Sequence, residues 1–487
     1  MKKIICLVLA LITLMPFSVM AEEHYDKGTA TTTAYQEGTY FGESDGIALA
    51  ADYSKEMSAL ASGIARMSDI IYIPDPTVRA SEYAGIMREV INSNPEFFYV
   101  GTLYSYYYSK DEEDKENPVV LAIKPTYIMS TAEAKAKIGR MRQEASKIIN
   151  TCIDDSMTDY TKLLEIHDYF CLNYEYDTTL QKHSAYDILV DKKGVCEAYS
   201  LAYKYVVSRI GINCDYAASD AMNHIRNMVE IDNNWFHVDV TWDDPVPNVN
   251  GRARHQYFMV DDETFKEEGH YDWVSQHIAD NATYKNSPMR NIDSAVYYKN
   301  GKYYHIDDLG NLCCSSDICK GDCQKKYKSG SKYYIADKAG YFYKKMSYIV
   351  EYNGCFYFSE ADGVYKLDYS DENAVPIRVY TSKNNQYPVD LIITNGRLKF
   401  HTATLYTEGR MVYSQPMMYS TEYDGLFGDA DDNSTVDITD AVIIANSTVD
   451  DQVISDKGYK LGDVDGNARV SMIDAIRVAQ NTLGAEF

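Results

Sequence analysis

Gly194-Val195-Cys196-Glu197-Ala198-Tyr199 sets a cysteine at the head of a segment in which Ala198, Leu201, Ala202, Val206 and Ile210 recur at helical spacing. The period predicts a helix that starts at or near Cys196. Aligned peptide dipoles at a helix N-terminus favour an anion, which makes such a position suited to a reactive thiolate. A thiolate nucleophile also needs a histidine to carry its proton and a third group to orient that histidine.

Downstream, residues 223–245 alternate as two strands and predict a hairpin turning at Asn233-Asn234. His224 and Asp239 then share a face. An ideal register puts Asp239 opposite Met228, which leaves His224 four residues further along, roughly 13 Å at strand rise. A bulge, strong twist or longer turn must close that gap. His237 lies on the same face as Asp239 and is a second candidate; spacing leaves both open.

Gly194-Val195-Cys196, His224 before Asn227-Met228-Val229, and Val238-Asp239-Val240-Thr241-Trp242-Asp243-Asp244-Pro245 together resemble the transglutaminase-like superfamily of thiol enzymes. The resemblance runs from Asn94-Pro95-Glu96-Phe97-Phe98 through Ile166-His167-Asp168-Tyr169 and Ser184-Ala185-Tyr186 to Tyr257-Phe258-Met259-Val260. It implies a catalytic triad with Cys196 as nucleophile, His224 as base and Asp239, on the second strand, as the orienting carboxylate. One departure touches the site. The family's Gly-His-Ala-Trp-Asn is here Asn223-His224-Ile225-Arg226-Asn227, so substrate preference is expected to differ. His167 and His183 are read as packing or surface residues, and Trp242 as core or a cleft wall.

Outward from this core, 487 residues exceed one ordinary domain. The expected organisation is a leader at 1–21, an N-terminal α+β region at 22–150 and the thiol domain at 151–280. Tyrosine-rich β repeats at 281–420 and a helical module at 426–487 complete it. Asn94-Pro95 closes a helix, because proline disfavours helical geometry in the residue before it. Asn300-Gly301, Asn353-Gly354 and Asn395-Gly396 each suit the positive φ angles of a two-residue hairpin turn. Their loose recurrence suggests degenerate propeller-like or sandwich repeats.

Two loops near the C-terminus repeat one another. The first carries Asp429, Asp431, Asn433, Thr435, Asp437 and Asp440, and the second Asp463, Asp465, Asn467, Arg469, Ser471 and Asp474. Side-chain oxygens at loop positions 1, 3, 5 and 12, with the backbone carbonyl of Thr435 or Arg469 at position 7, are what a hard cation such as Ca2+ requires. Asp437 and Ser471, at position 9, ligate directly or through water. Each loop leads into an apolar-periodic helix (Ala441, Ile444 and Ala445; Ala475, Ile476 and Ala479). With Gly428-Asp429 and Gly462-Asp463 opening the loops, the duplicate resembles a type I dockerin holding two calcium ions. The resemblance implies a cohesin module of a scaffoldin as partner, met through Ile438-Thr439 and Met472-Ile473. Position 6 is Ser434 and Ala468 where glycine is usual, which predicts a strained turn and modest calcium affinity.

The formal charge of −25 argues against nucleic acid or an anionic membrane as partner. Lys2-Lys3, the short apolar run from Ile4 and Val19-Met20-Ala21 read as a cleaved export signal, too short to span a bilayer. A secreted, extracellular protein associated with a scaffold or cell surface is therefore expected. Nine cysteines remain without Cys6, and if Cys196 is the free thiol the other eight can pair. Within this α+β multidomain chain, a papain/transglutaminase-like core is joined to tyrosine-rich β repeats and a small all-α dockerin. The expected activity is acyl transfer on protein or peptide amides, with hydrolysis favoured over transamidation. The alternative is a non-catalytic, scaffold-borne module that binds polysaccharide or protein. No paired carboxylates support a glycosidase.

Overall fold

The computed structural model describes residues 25–31, 53–328, 335–337, 340–342 and 349–483, except 245, 250, 361, 384–385, 395, 406–410, 414–416, 421, 423–424, 434 and 451–453. The expected leader at 1–21 lies outside the described residues. An antiparallel sheet opens the chain, formed by β1 (Tyr25–Thr31), β2 (Ile71–Tyr72), β3 (Val100–Ser109) and β4 (Ala122–Tyr127) in the order β1-β3-β4-β2. Its core gathers Leu60, Ile64, Ile86, Met87, Tyr99, Tyr104 and Ile123. The helix Tyr83–Ser93 stops where Asn94 swings to φ −129°, ψ 78° ahead of Pro95, the extended bias that proline imposes.

Four helices follow: α1 (Thr131–Cys152), α2 (Asp159–Asn173), α3 (Ala185–Asp191) and α4 (Cys196–Val207). Helix α4 is buried at every position from Cys196 to Val207 except Lys204. A helix buried on nearly every side belongs in the interior, so the apolar period read from sequence marked a central helix rather than an amphipathic one. Then come β5 (Cys214–Ser219), β6 (His224–Ile231), β7 (Asn234–Val238), the single turn α5 (Val240–Asp243), β8 (Phe258–Val260) and β9 (Val274–Ser275). The five strands form one sheet in the order β8-β7-β6-β5-β9.

Two local features differ from expectation. The turn between β6 and β7 is Asp232-Asn233, both at positive φ (51° and 60°), one residue earlier than Asn233-Asn234. Aspartate tolerates this left-handed region much as asparagine does, and the Asn234 side chain donates back to the Asp232 carbonyl (2.8 Å). Asp239 does not lie on a strand either: at φ −117°, ψ 81° it leaves β7 and caps α5.

The β-rich segment consists of antiparallel meanders. The first is β10 (Tyr297–Lys299), β11 (Lys302–Ile306), β12 (Leu312–Ser315) and β13 (Gln324–Tyr327); the second is β14 (Ile349–Tyr352), β15 (Cys355–Glu360), β16 (Gly363–Asp368) and β17 (Ile377–Thr381). A third sheet includes the long pair Gln386–Thr394 and Arg397–Leu405. Asn300-Gly301 and Asn353-Gly354 turn at positive φ between Lys299↔Lys302 and Tyr352↔Cys355, and Gly396 (φ 75°) turns between Thr394↔Arg397. Strand β15 is buried on both faces. Phe356 and Phe358 enter one core with Tyr304 and Leu312; Cys355 and Tyr357 enter another with Leu398 and Tyr419. Tyr304, Tyr357, Tyr380 and Tyr419 are therefore packing rings.

Among the described residues one disulfide forms, Cys313–Cys323. Cys152, Cys171, Cys196, Cys214, Cys314, Cys319 and Cys355 are thiols, so the pairing that the even remainder of eight allows is realised there in this one bond. Most of them sit singly in the core, where cysteine behaves as a small hydrophobe. No helix among the described residues is long and apolar enough to cross a membrane.

At the C-terminal end, α6 (Ile438–Ser447), α7 (Asp456–Gly462) and α8 (Met472–Thr482) pack around Ala441, Ile444, Val464, Val470, Ala475 and Val478. Ile476 is half exposed, so Val478 fills the inner position expected of it.

The chain gathers into two compact units that interleave along the sequence. One holds the described residues up to Lys147 with Thr179–Met228 and Phe265–Ile278; the other holds Ile148–Thr178, Val229–Thr264 and the described residues from Ala279 onward. The linear limits at 150, 280 and 420 differ from this division.

Candidate functional site

In the first unit, Cys196 opens α4 and His224 opens β6, both buried. Ser200, one helical turn past Cys196, donates its hydroxyl to the carbonyl of Ile225, next to His224 (3.1 Å). Asn227 returns a bond from its amide to the Ser200 carbonyl (3.0 Å). The first turn of α4 is thus tied to the first residues of β6, and Cys196 and His224 head the two tied ends. Glu197 is buried and bonds the ring of His183 (3.1 Å), so His183, read as packing or surface, holds the residue next to the thiol. Arg226, the departure from the family pattern, is buried with its guanidinium 4.4 Å from the Phe265 ring and 4.7 Å from that of Trp273. Stacking on two rings is how a planar cation occupies a position suited to an aromatic residue.

Gly194 fixes the entry to the thiol helix. A Cβ there would lie 2.4 Å from the Ala198 Cβ and 3.3 Å from Ile188. Ala198 cannot swing away, because its Cβ is rigidly tied to the helix. Gly194→Ala is therefore expected to lower stability by about 1–3 kcal/mol and to slow alkylation of Cys196. Urea unfolding and mass-spectrometric labelling check the two effects.

In the second unit, the Asp239 carboxylate accepts the amide of Trp242 (3.1 Å), capping α5. Trp242 is partly exposed and packs edge-on against Tyr257 (5.4 Å). His237, the rival base, is buried with Nε2 engaged by Asp262 (2.7 Å).

Behind Asp239 lies a buried charge cluster that the sequence reading missed. His167 bonds Asp168 through Nδ1 (2.9 Å) and Asp243 through Nε2 (3.2 Å). His255 bonds Asp168 through Nε2 (2.8 Å) and the Ile292 carbonyl through Nδ1 (2.8 Å). One helical turn before Asp168 and Tyr169, Glu165 accepts the Tyr298 amide (2.6 Å). His167 is thus neither simple packing nor surface. Its one local signal was the His167-Asp168 pair inside a largely apolar helical run.

Burial opposes charge on His167, but its hydrogen bonds to Asp168 and Asp243 outweigh this and raise its pKa to about 9. Burial likewise opposes charge on Asp168, yet His255 and His167 hold it at about 2. Glu165 is pushed up to about 8 by burial, against the Tyr298 amide. The signs follow. His167 is raised above its unfolded value, so its contribution, about 3 kcal/mol, is complete below pH about 6.5 and lost as pH rises through about 9. Glu165 acts in the same direction between about pH 4.5 and 8. The melting temperature is expected to fall from pH 6.5 to 9, and Glu165→Gln, which keeps the acceptor without the charge, to flatten the lower part of that fall.

The C-terminal loops gather carboxylates. Asp429, Asp431 and Asp440 offer oxygens within 4.8 Å of one another, as do Asp463, Asp465 and Asp474. Asp440 is buried and accepts the amides of Ala430 (2.9 Å) and Asp437 (2.8 Å); Asp474 accepts those of Asp465 (3.2 Å) and Ser471 (2.9 Å). Asp437 and Ser471 cap α6 and α8 through reciprocal bonds with Asp440 and Asp474. Asn433 bonds Asp431, and Asn467 bonds Asp463 and Asp465 through its amide. Ala468 sits at φ 64°, the left-handed conformation that costs a non-glycine residue roughly 1 kcal/mol; Ser434 lies outside the described residues. Ile438, Thr439, Met472 and Ile473 are exposed.

Residues 146–240 match the model of the transglutaminase-like superfamily. No curated protein matches the chain. Solved structures with local likeness include a transglutaminase (TM-score 0.20, 11% identity, 32% of this chain and 47% of the other). A candidate cysteine protease from Cytophaga hutchinsonii follows (0.19, 16%, 30% and 56%). An arylamine N-acetyltransferase from Bacillus cereus, described with a Cys-His-Glu triad, is similar over 54% of this chain and 92% of its own (0.18, 12%). The chain spans about half the length of the first two, and TM-scores this low carry no inference about activity.

Proposed function

We propose that this chain, which carries a transglutaminase-like domain at residues 146–240, is a secreted thiol enzyme that cleaves protein or peptide amides. Cys196 attacks the amide carbonyl and His224 takes the thiol proton. His224 then passes that proton to the leaving amine as the C–N bond breaks, leaving an acyl group on sulfur. Water, deprotonated by His224, attacks the thioester and releases the acid and the thiol. Asp239 orients the imidazole.

The tie between Ser200 and Ile225 carries this reading, because it joins the start of the thiol helix to the start of the histidine strand. The capping role of Asp239 and the engagement of His237 with Asp262 favour His224 over His237 as base.

Residues 426–487 are read as a type I dockerin. The all-oxygen donor sets of its two loops fit Ca2+, held by Asp429, Asp431, Asn433, Thr435, Asp437 and Asp440 and by Asp463, Asp465, Asn467, Arg469, Ser471 and Asp474. The exposed Ile438-Thr439 and Met472-Ile473 pairs then offer a cohesin two alternative faces. Polysaccharide stacking by the β segment has less support, since Tyr304, Tyr357, Tyr380 and Tyr419 are buried.

Casein supplied with and without a fluorescent primary amine tests the activity. Cleavage without amine incorporation is expected. Incorporation into intact casein would make the enzyme a transglutaminase, and the absence of both cleavage and incorporation would overturn the catalytic reading.

A further inference from the structure

Helix α5 is one turn long, too short to hold its shape by its own hydrogen bonds. Its cap is Asp239, and its far end is Asp243. The Asp243 amide donates to the Asp239 carbonyl (3.1 Å), and the Asp239 amide donates to the Tyr257 carbonyl (3.0 Å). The Tyr257 amide donates in turn to both Asp243 oxygens (3.1 Å each). These bonds close a ring around Asp239, and the Asp243 carboxylate is its anchor.

That carboxylate is fully buried, and its side-chain partner is His167. Both ring nitrogens of His167 face carboxylates, which only accept hydrogen bonds when ionised, so both nitrogens donate. Beyond His167, Asp168 takes the Val296 amide (2.7 Å) and the His255 ring. Burying so many charges is costly and is a weak source of net stability. What such an arrangement does supply is fixed geometry.

We propose that His167 and Asp243 are positioning residues: the His167 ring bridges Asp168 to Asp243, and that bridge fixes the one-turn helix capped by the Asp239 carboxylate. The proposal rests on the reading of Asp239 as the orienting group of the triad. It explains why a histidine 76 residues before Asp243 is held there.

A metal ion is the competing explanation, since donor atoms of His167, Asp168 and His255 lie within 4.8 Å of one another. The spacing decides against it. Ligands of a tetrahedral ion bound at about 2.1 Å would stand about 3.4 Å apart, whereas the nitrogens of His167 and His255 lie 2.9 and 2.8 Å from the Asp168 oxygen. Those are hydrogen-bond distances.

The titratable groups facing His167 are Asp168 on α2, Asp243 at the end of α5, and His255 on the following loop. The test follows the rate of Cys196 alkylation by iodoacetamide in the full chain from pH 5 to 9, for the wild type, Asp243→Asn and His167→Gln. Asp243→Asn keeps an acceptor for the Tyr257 amide and removes the charge that holds His167. Both variants are expected to lose about tenfold in rate at pH 6 and little at pH 9. A structural defect alone would not produce that pH-selective loss.

Nuclear magnetic resonance of the wild type supplies a readout that no folding defect can obscure. The His167 ring is expected to carry both N–H protons at pH 7. A singly protonated ring, or variant profiles that superimpose on an activated wild type, would overturn the proposal alone. A wild-type Cys196 that reacts like an ordinary thiol would overturn the triad reading and the positioning role with it. One equivalent of a transition metal in the purified chain, lost in His255→Gln, would also overturn the proposal.

Discussion

Cys196→Ala is expected to remove casein cleavage, a fall of roughly 10^4-fold or more, while the unfolding midpoint moves little. The two effects differ in size for a physical reason. Cys196 is buried, so deleting its sulfur leaves a cavity of about one methyl group, costing on the order of 1 kcal/mol. Losing the nucleophile removes the covalent route entirely, equivalent to about 5 kcal/mol or more in the barrier. The other buried thiols provide the contrast. Burial raises Cys171 well above the ordinary thiol range and pushes Cys214 up to about 12, so near neutral pH both are inert. Cys214→Ala is accordingly expected to leave cleavage intact, and alkylation is expected to mark Cys196 first. Activity and urea unfolding of the two alanine variants check this.

Removing calcium with EGTA is expected to melt α6 and α8, with recovery when calcium is restored. Asp429, Asp431 and Asp440 crowd within 4.8 Å. At an effective dielectric of 20 each like-charged pair costs about 3 kcal/mol, so one loop without its cation carries several kcal/mol of repulsion. A module of this size has a small core and a net stability of only a few kcal/mol. Calcium at a hundredfold excess over its dissociation constant returns about 2.7 kcal/mol per site through binding alone.

The pH sign agrees with this. Burial raises Asp440 above its unfolded value, so its contribution is complete below that value and is lost as pH rises through the folded one. Without calcium the module is therefore expected to be more helical in mild acid than at pH 7. Circular dichroism of the full chain, with and without EGTA at both pH values, is the measurement. Unchanged helix content in EGTA would count against calcium as the ligand of these loops.

Much of this organisation is legible locally. Gly194 and the apolar period place the start of α4 at Cys196, the Asn-Gly pairs place hairpin turns, and the repeated Asp-x-Asp loops point to a cation. Each is a short-range signal. The turn at Asp232-Asn233 was misplaced by one residue because Asp232, Asn233 and Asn234 all tolerate turn geometry. That single residue shifts the expected ladder by two positions. The short helix after Asp239 was missed because residues 238–241 are rich in β-branched types, and its cap depends on tertiary bonds.

The buried cluster was not legible as a cluster; only the His167-Asp168 pair hinted at it. Its bonds join His167 to Asp243 and Asp168 to Val296, 76 and 128 residues apart. No periodicity connects such residues, and singly each reads as a surface charge. The cysteine pairing was left open for a related reason: counting thiols says nothing about whether two of them meet.

The central claim is that Cys196 is an activated nucleophile. The second-order rate of its alkylation by iodoacetamide at pH 6.5, located by peptide mass spectrometry and compared with a cysteine peptide, tests it most directly. At least a tenfold excess over the peptide is expected, abolished in His224→Ala. A rate equal to or below that of the peptide, unchanged in His224→Ala, would contradict the account.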